Sequence, residues 1–154
     1  MPVLVVTAAG ILAIRWKSWI PATHIVTASA GSLLMTIVGK RLVVRIRPPL
    51  LEAVPPYDFS ASFPSGHALN SVVIAGMIAY LITLRVDRTR SRVLAASVAV
   101  LFAVTMGLSG VYLGHHWLTD VLAGWALGGA WLVIVITAYR VYKRGGGQAI
   151  EQVQ

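Results

Sequence analysis

His116 and Asp120 form the pair in this 154-residue chain whose types and spacing favour nucleophilic chemistry. They are four residues apart, and in a helix this spacing places two side chains on the same face. A carboxylate that holds one imidazole nitrogen fixes the tautomer and raises the basicity of the other nitrogen, which can then attack an electrophile. The neighbouring His115 lies five residues from Asp120 and points less well. The spacing therefore predicts His116 as a nucleophile that Asp120 orients.

The tetrapeptide P-S-G-H at residues 64–67 directly precedes an apolar run. A helix that begins here directs free backbone N–H groups and the positive end of its dipole toward one place, which makes an anion site. Ser65 can cap this helix or donate to an oxyanion, and Gly66 lets a ligand approach the backbone. His67 would lie at the bound anion, where an imidazole can give up a proton near neutral pH.

A basic cluster lies between Lys40 and Arg47. These two residues are seven positions apart, close to two helical turns, so they can share a helix face. Two cations on one face suit a phosphate, because arginine offers a planar fork for two oxygens and lysine offers a point charge. The alternative is a set of anchors whose long side chains reach from a helix end to the membrane interface.

A zinc site is an alternative use of the polar residues near the ends of the apolar runs. Its ligands would be His67, His115, His116 and Asp120. The chain lacks the H-E-x-x-H pattern of helical zinc sites, and the nearby Lys40 and Arg47 would repel a cation. The absence of cysteine excludes disulfides, zinc–thiolate sites and thiol catalysis. We therefore expect neither a metal nor another cofactor.

The composition indicates a membrane protein. Hydrophobic residues make up 57% of the chain and charged residues 12%, with a mean hydropathy of +0.78. Soluble domains carry about 25% charged residues, so this chain has too little polar surface for a water-facing globule. The net charge of +8 could suggest a nucleic-acid partner. However, the basic residues fall in short clusters between apolar runs, as in multi-span membrane proteins, and we expect no nucleic-acid binding.

Four apolar runs are long enough to position these clusters as membrane-spanning helices of roughly 20 residues. They cover residues 20–39, 68–84, 93–113 and 118–139. A fifth run, residues 2–14, would extend only about 20 Å as a helix, short of the ~30 Å hydrocarbon core. The sequence thus predicts an all-α, polytopic transmembrane helix bundle as one domain over residues 1–144. Residues 145–154 are predicted to form a disordered tail.

The distribution of lysine and arginine orients the predicted bundle. If every run crosses the membrane, nine basic residues lie on one side and the four of the Lys40–Arg47 cluster lie on the other. The positive-inside rule makes the first side cytoplasmic. We therefore expect an integral plasma-membrane protein with a cytoplasmic C-terminus and with all three polar clusters facing outward or toward the periplasm.

Together the three clusters resemble the signature of the type 2 phosphatidic acid phosphatase superfamily, whose blocks are K-x6-R-P, P-S-G-H and S-R-x5-H-x3-D. The first block is complete at residues 40–48 and the second at residues 64–67. The third runs from Ser109 to Asp120 with Gly110 in place of arginine. Vanadium haloperoxidases share these blocks, but they are soluble. The resemblance implies a six-helix bundle, so this chain, with four to five spans, is N-terminally short.

The resemblance also implies metal-independent hydrolysis of a lipid phosphomonoester or diphosphate, such as an isoprenyl diphosphate, phosphatidate or phosphatidylglycerophosphate. It implies that His116 attacks phosphorus to form a phosphohistidine, that Asp120 orients it, and that His67 protonates the leaving group. The residues implied to hold the phosphoryl oxygens are Lys40, Arg47, Ser65 and Gly66. The expected partner is thus a phosphorylated lipid.

Gly110 keeps other functions open. Loss of one electrostatic donor can lower a rate by about 10²–10³-fold, so the chain could bind lipid phosphate without efficient turnover. A lipid phosphotransferase would use the same residues, and a transport or assembly subunit would keep only the scaffold. The G-x-x-x-G spacings at residues 110–114 and 124–128 allow helices to approach closely, and a homo-oligomer would be one use of them.

Overall fold

The computed structural model describes residues 2–49, 51 and 53–151, and this part of the chain is helical without any strand. The prediction of an all-α bundle is therefore confirmed. Five helices follow one another in the order α1 (Pro2–Trp16), α2 (Ile20–Leu42), α3 (Gly66–Thr83), α4 (Thr89–Tyr112) and α5 (Leu118–Glu151).

Four of these helices are long and apolar enough to cross a membrane. They are α2, α3, α4 and the Leu118–Tyr142 part of α5. The outer face of α4 carries exposed leucine and valine side chains, among them Leu94, Val98 and Leu101. Such a face is stable against lipid tails but not against water. Helix α1 has 15 residues, or roughly 22 Å at 1.5 Å per residue, and so is shorter than a full span.

The ends of α2 and α3 bring the basic cluster and the P-S-G-H turn to one side of the bundle. Helix α2 extends to Leu42, so Lys40 lies in its last turn, where a cation interacts favourably with the helix dipole. Helix α3 begins at Gly66, and the Ser65 hydroxyl caps it by accepting a hydrogen bond from the Ala68 amide. The predicted cap at Ser65 is thus present.

Two glycines of α5 let this helix approach the beginning of α3. A Cβ atom at Gly124 would lie 2.9 Å from the Ser65 carbonyl oxygen, and one at Gly128 would lie 2.7 Å from the Leu69 carbonyl oxygen. Both separations are too short for a side chain, so glycine is required for this contact. The 124–128 spacing therefore serves packing within the chain. Formation of a homo-oligomer stays a prediction.

Helix α5 continues to Glu151, whereas the sequence predicted disorder from residue 145. Extending a helix that already exists adds one hydrogen bond for each residue fixed, which is easier than starting a new helix. Residues 152–154 of the predicted tail lie outside the described residues. The division into a domain of residues 1–144 and a tail stays a prediction.

Candidate active site

The three polar clusters meet around a cavity of about 310 Å³. Its lining residues are Lys40, Arg47, Asp58, Gly66, His67, Asn70 and His116. Five of them are site residues predicted from the sequence, while the predicted Ser65 and Asp120 are buried beside the cavity and do not line it. A larger cavity of about 890 Å³, between α1, α3 and α4, is mostly apolar and is lined by none of the predicted site residues.

Lys40 points from the last turn of α2 to the linker that joins α2 and α3. Its Nζ donates to the Ser60 hydroxyl at 2.7 Å and to the Ala61 carbonyl oxygen at 2.6 Å. The ammonium group therefore keeps its place at the cavity wall without a ligand. A group with three donors and two protein acceptors has one donor left for an anion.

Arg47 is the second cation of the cavity, and its guanidinium group makes three contacts to two loop segments, the linker between α2 and α3 and the turn between α4 and α5. Nε donates to the Ser60 carbonyl oxygen at 2.8 Å and Nη1 to the His115 carbonyl oxygen at 2.6 Å. Nη2 forms an ion pair with the Asp58 carboxylate at 2.5 Å. The planar fork of arginine permits these simultaneous contacts, which a lysine could not make.

Asp58 is a cavity residue that the sequence analysis did not identify. Its side chain is half exposed and lies on Arg47, one of the two cations predicted to bind phosphate. Partial burial opposes ionisation of this carboxyl, but hydrogen bonds from Ser60 and the charge of Arg47 outweigh burial and hold its pKa below the usual range. At neutral pH the structure therefore places a carboxylate on a cation that the sequence predicts to bind phosphate.

We expect Asp58→Asn to bind orthovanadate or inorganic phosphate about fivefold more tightly than the unchanged chain. The reason is that an anion no longer has to displace a carboxylate from Arg47, and an exposed ion pair is worth up to about 1 kcal/mol. Equilibrium binding to the detergent-solubilised protein measures this change. The matched control is Asp87→Asn, which removes a carboxylate from the loop between α3 and α4. Equal or weaker binding by Asp58→Asn would contradict the expectation.

Gly66 contributes to the site through helix packing as well as through its backbone. A Cβ atom at residue 66 would lie 3.0 Å from the Thr36 methyl group of α2, so even a methyl side chain would crowd this contact. The Ser65 amide donates to the Asp120 carbonyl oxygen at 3.1 Å. The turn at the start of α3 is thus held by α2 on one side and by α5 on the other.

His116 is held by the backbone of Ser62. Its Nδ1 donates to the Ser62 carbonyl oxygen at 2.9 Å, which leaves Nε2 with the lone pair. Burial and the charge of Arg47 lower the pKa of His116 to about 4, so the imidazole is neutral at pH 7. The ring lines the cavity, and its unprotonated Nε2 has a lone pair available, as a nucleophile requires.

Asp120 approaches His116 but does not take the Nδ1 hydrogen bond that the four-residue spacing suggested. Helix α5 begins at Leu118, so His116 precedes the helix, and its Nδ1 lies 3.9 Å from the nearer Asp120 oxygen. The buried carboxylate is instead satisfied by Arg45 Nη1 at 2.8 Å, by the Ser62 hydroxyl at 2.5 Å and by the Trp117 amide at 3.0 Å. Arg45 is thus its charged partner.

Position 110, where the third block has arginine, lies close to His116 and leaves little room for a side chain. A Cβ atom at Gly110 would lie 3.3 Å from the imidazole Cδ2 atom. Arg45 does not take the place of this arginine in the cavity wall, because its guanidinium group lies on Asp120 and Thr119. His115 Nε2 donates to the Val54 carbonyl oxygen, and the residue lies outside the lining. In the described part of the chain, Lys40 and Arg47 are the lining residues with a permanent charge opposite to that of phosphate.

Comparison with known proteins places this chain in a family. The model of the PAP2 superfamily matches residues 21–144. Phosphatidylglycerophosphatase B of Bacillus subtilis (strain 168) is 33% identical over 129 residues, which is 83% of this chain and 62% of the relative. Undecaprenyl-diphosphatase of Sulfolobus acidocaldarius is 33% identical over 108 residues, which is 70% of this chain and 46% of the relative. This chain therefore matches less than two thirds of the length of either relative.

A solved structure shows the same arrangement of helices. The crystal structure of a transmembrane PAP2-type phosphatidylglycerolphosphate phosphatase from Bacillus subtilis superposes with a TM-score of 0.80 at 29% sequence identity. The similarity covers 89% of this chain and 67% of that chain. The predicted resemblance and the transmembrane fold are thereby confirmed.

Proposed function

Because the chain belongs to the PAP2 superfamily, we propose that it is an integral membrane lipid phosphatase that acts through a phosphohistidine without a metal. The observation that carries the proposal is the neutral His116, whose free Nε2 shares one cavity with Lys40 and Arg47. A nucleophile next to two fixed cations is the arrangement that phosphoryl transfer needs, because this chemistry depends mainly on positioning and on charge stabilisation.

In the proposed mechanism, Nε2 of His116 attacks the phosphorus atom of the substrate. The new P–N bond forms as the P–O bond to the lipid breaks, and His67 gives a proton to the departing oxygen. Lys40 and Arg47 stabilise the charge on the phosphoryl oxygens, with the turn at Ser65 and Gly66 as the third side of the site. His67, which has given up its proton, then takes a proton from the water that attacks the phosphohistidine. The P–N bond breaks, inorganic phosphate is released, and both histidines return to their starting states.

The proposed substrate is a lipid phosphomonoester or diphosphate, such as phosphatidylglycerophosphate, phosphatidate or an isoprenyl diphosphate. Two observations support this class. The relatives carry the names of a phosphatidylglycerophosphatase and of an undecaprenyl-diphosphatase. The cavity also lies where the spans α2 and α3 approach the linker, so a headgroup can enter it while the lipid tail stays among the apolar side chains.

We place the site on the outer or periplasmic face of the plasma membrane, with a cytoplasmic C-terminus. The distribution of nine basic residues on one side and four on the other supports this orientation. Reporter fusions at residues 56 and 88 test it, because residue 56 is expected outside and residue 88 inside. The reverse result would invert the orientation.

The assay that tests the proposed function is phosphate release from an isoprenyl diphosphate and from a phosphatidate, in detergent with excess EDTA. We expect phosphate release that EDTA does not reduce. The ratio of the release rates from the two lipids indicates which class of lipid is the better substrate. Loss of release with EDTA and its recovery with a divalent cation would contradict the metal-free mechanism. Release from neither lipid, by protein shown to be folded, would contradict hydrolysis of these substrates.

A second candidate function is binding of lipid phosphate without efficient turnover, and Gly110 beside His116 favours it. Gly110→Arg distinguishes the two, since it restores a cation next to the nucleophile. An active wild type supports the phosphatase. A silent wild type with an active Gly110→Arg variant supports the binding protein.

A lipid phosphotransferase would pass the phosphoryl group to an added lipid acceptor instead of to water, and it is detected by the labelled lipid product.

A further inference from the structure

Ser62 links the buried carboxylate of Asp120 to the imidazole of His116. Its hydroxyl donates to Asp120 Oδ2 at 2.5 Å, and its carbonyl oxygen accepts from His116 Nδ1 at 2.9 Å. The residue is completely buried, and its amide donates to the Arg45 carbonyl oxygen at 2.9 Å. All three polar groups of Ser62 are therefore fixed by neighbours, and the direction of its carbonyl group depends on them.

Arg45 supplies the charge that allows Asp120 to be buried. Asp120 has no solvent exposure, and burying an unpaired carboxylate is strongly unfavourable. Arg45 Nη1 lies 2.8 Å from Oδ1 of this carboxylate, and the guanidinium group lies 5.7 Å from the centre of the Trp117 ring. The Trp117 indole in turn donates to the Ile46 carbonyl oxygen at 3.0 Å. The linker and the start of α5 are thus joined on both sides of Asp120.

We propose that Ser62 and Arg45 are positioning residues for the nucleophile, and that Asp120 orients His116 through the Ser62 hydroxyl and carbonyl rather than directly. This inference rests on the proposed function. Its basis is the pair of distances at His116: 2.9 Å to the Ser62 carbonyl oxygen and 3.9 Å to Asp120. Only the first is a hydrogen bond.

The same arrangement serves the phosphorylated state. When Nε2 carries the phosphoryl group, the imidazole is cationic and its Nδ1–H remains on the Ser62 carbonyl oxygen. The Asp120 carboxylate, one van der Waals distance away, then stabilises this cation through space while it keeps Ser62 in place. Loss of the Ser62 hydroxyl should therefore slow the transfer to His116 without changing the contacts to the phosphate.

The first test compares Ser62→Ala with Ser71→Ala. Both serines are completely buried, but the Ser71 hydroxyl donates to the Ala68 carbonyl oxygen within α3 and touches neither His116 nor Asp120. We expect Ser62→Ala to lower kcat and the single-turnover rate of phosphohistidine formation by about 10- to 100-fold, the loss typical of a hydrogen bond to a charged group. KM should stay within about twofold, and Ser71→Ala should resemble the wild type.

The second test addresses Arg45. Arg45→Gln should lower kcat by about 10- to 100-fold, and Arg45→Lys should recover part of the loss because it restores the charge beside Asp120. Thr119→Ala is the matched control, since the Thr119 hydroxyl accepts from the same Nη1 at 2.7 Å but does not contact the carboxylate. Ser62→Ala combined with Asp120→Asn should lose little more than Asp120→Asn alone, because both changes break one linkage.

Three outcomes would overturn the inference. Wild-type kcat in Ser62→Ala, together with a large loss in Asp120→Asn, would mean that Asp120 acts on His116 directly. Equal losses in Ser62→Ala and Ser71→Ala, with matching decreases in thermal stability, would mean a packing effect. Full loss of activity in Arg45→Lys as well as in Arg45→Gln would exclude charge compensation as the role of Arg45.

A spectroscopic readout separates this inference from the proposed function. In ¹⁵N NMR of histidine-labelled protein without substrate, the wild type should show His116 as the Nδ1–H tautomer, and Ser62→Ala should shift it toward a mixture. If the wild type releases no phosphate, the phosphatase proposal fails while this spectrum still tests the positioning of the ring. If the wild type is active but Ser62→Ala keeps both rate and tautomer, only the positioning inference fails.

Discussion

Replacement of His116 by alanine should abolish phosphate release, with a loss of more than about 10³-fold in kcat. Two histidines, His67 and His116, line the described cavity together with Lys40 and Arg47. His67 is proposed to protonate the leaving group, so this variant removes the imidazole that is proposed to attack phosphorus. Because the pKa of His116 is lowered to about 4, the proposed nucleophile is already neutral at pH 7 and needs no deprotonation. Phosphate release in detergent with EDTA measures the loss.

His115→Ala is the matched control for this experiment. His115 is the adjacent histidine, its ring is hydrogen-bonded to the Val54 carbonyl oxygen at 2.7 Å, and it does not line the cavity. This variant should keep activity within about threefold of the wild type, the effect of losing one exposed hydrogen bond. Trapping of acid-labile phosphate in the wild type and in His115→Ala, but not in His116→Ala, would identify the phosphorylated residue. The opposite pattern would reassign the nucleophile.

Arg47→Ala should lower kcat/KM by roughly 10²–10³-fold, the loss expected for one electrostatic donor of a transition state. Arg47 is one of the two permanent cations of the cavity lining. Its guanidinium group also joins the linker at Asp58 and Ser60 to the His115 carbonyl oxygen, so the variant loosens the cavity wall as well. Arg47→Lys should recover little, because an ammonium group cannot make these contacts together.

Arg41→Ala provides the comparison for a basic residue without a site role. Arg41 lies next to Lys40 in the last turn of α2, and its side chain is exposed. Steady-state kinetics on both lipids should give near-wild-type values for this variant. Equal losses in Arg41→Ala and Arg47→Ala would indicate a general effect of basic charge at the membrane surface instead of a phosphate contact.

The membrane-spanning helices could be predicted from the sequence because hydropathy and length determine them directly. The runs predicted at residues 68–84 and 118–139 begin within two residues of α3 and α5. Helix α2 continues to Leu42, three residues past the predicted end, and α4 begins at Thr89, four residues before the predicted start. In both cases polar and basic residues extend the helix beyond its apolar part, since the backbone hydrogen bonds continue where the lipid ends.

The contacts among the loops could not be predicted, because the linker between α2 and α3 has no helical periodicity. Asp58, Ser62 and Arg45 lie in this linker, and their partners are up to 75 residues away in the chain. One cue was present in the sequence: a buried acid needs a partner, and the basic cluster held four candidates. Which of the four would reach Asp120 depends on the path of the linker.

The geometry of His116 shows where a spacing rule fails. The four-residue spacing to Asp120 places both side chains on one face only if both residues are helical. In the structure the helix begins two residues after His116, and the preceding Gly114 has φ of 69°, a left-handed conformation that turns the chain. The imidazole therefore reaches across to Ser62, a partner 54 residues earlier in the chain.

In the proposed catalytic cycle, the ion pair between Asp58 and Arg47 has a consequence for the release of product. Inorganic phosphate left in the cavity must be replaced before another lipid can bind, and Asp58 is a tethered carboxylate on the same cation. A tethered group competes at an effective concentration of the order of millimolar, whatever the composition of the medium. The Asp58 carboxylate can thus displace bound phosphate from Arg47 without an ion from the medium. Turnover should therefore resist product inhibition until the external phosphate concentration is itself millimolar.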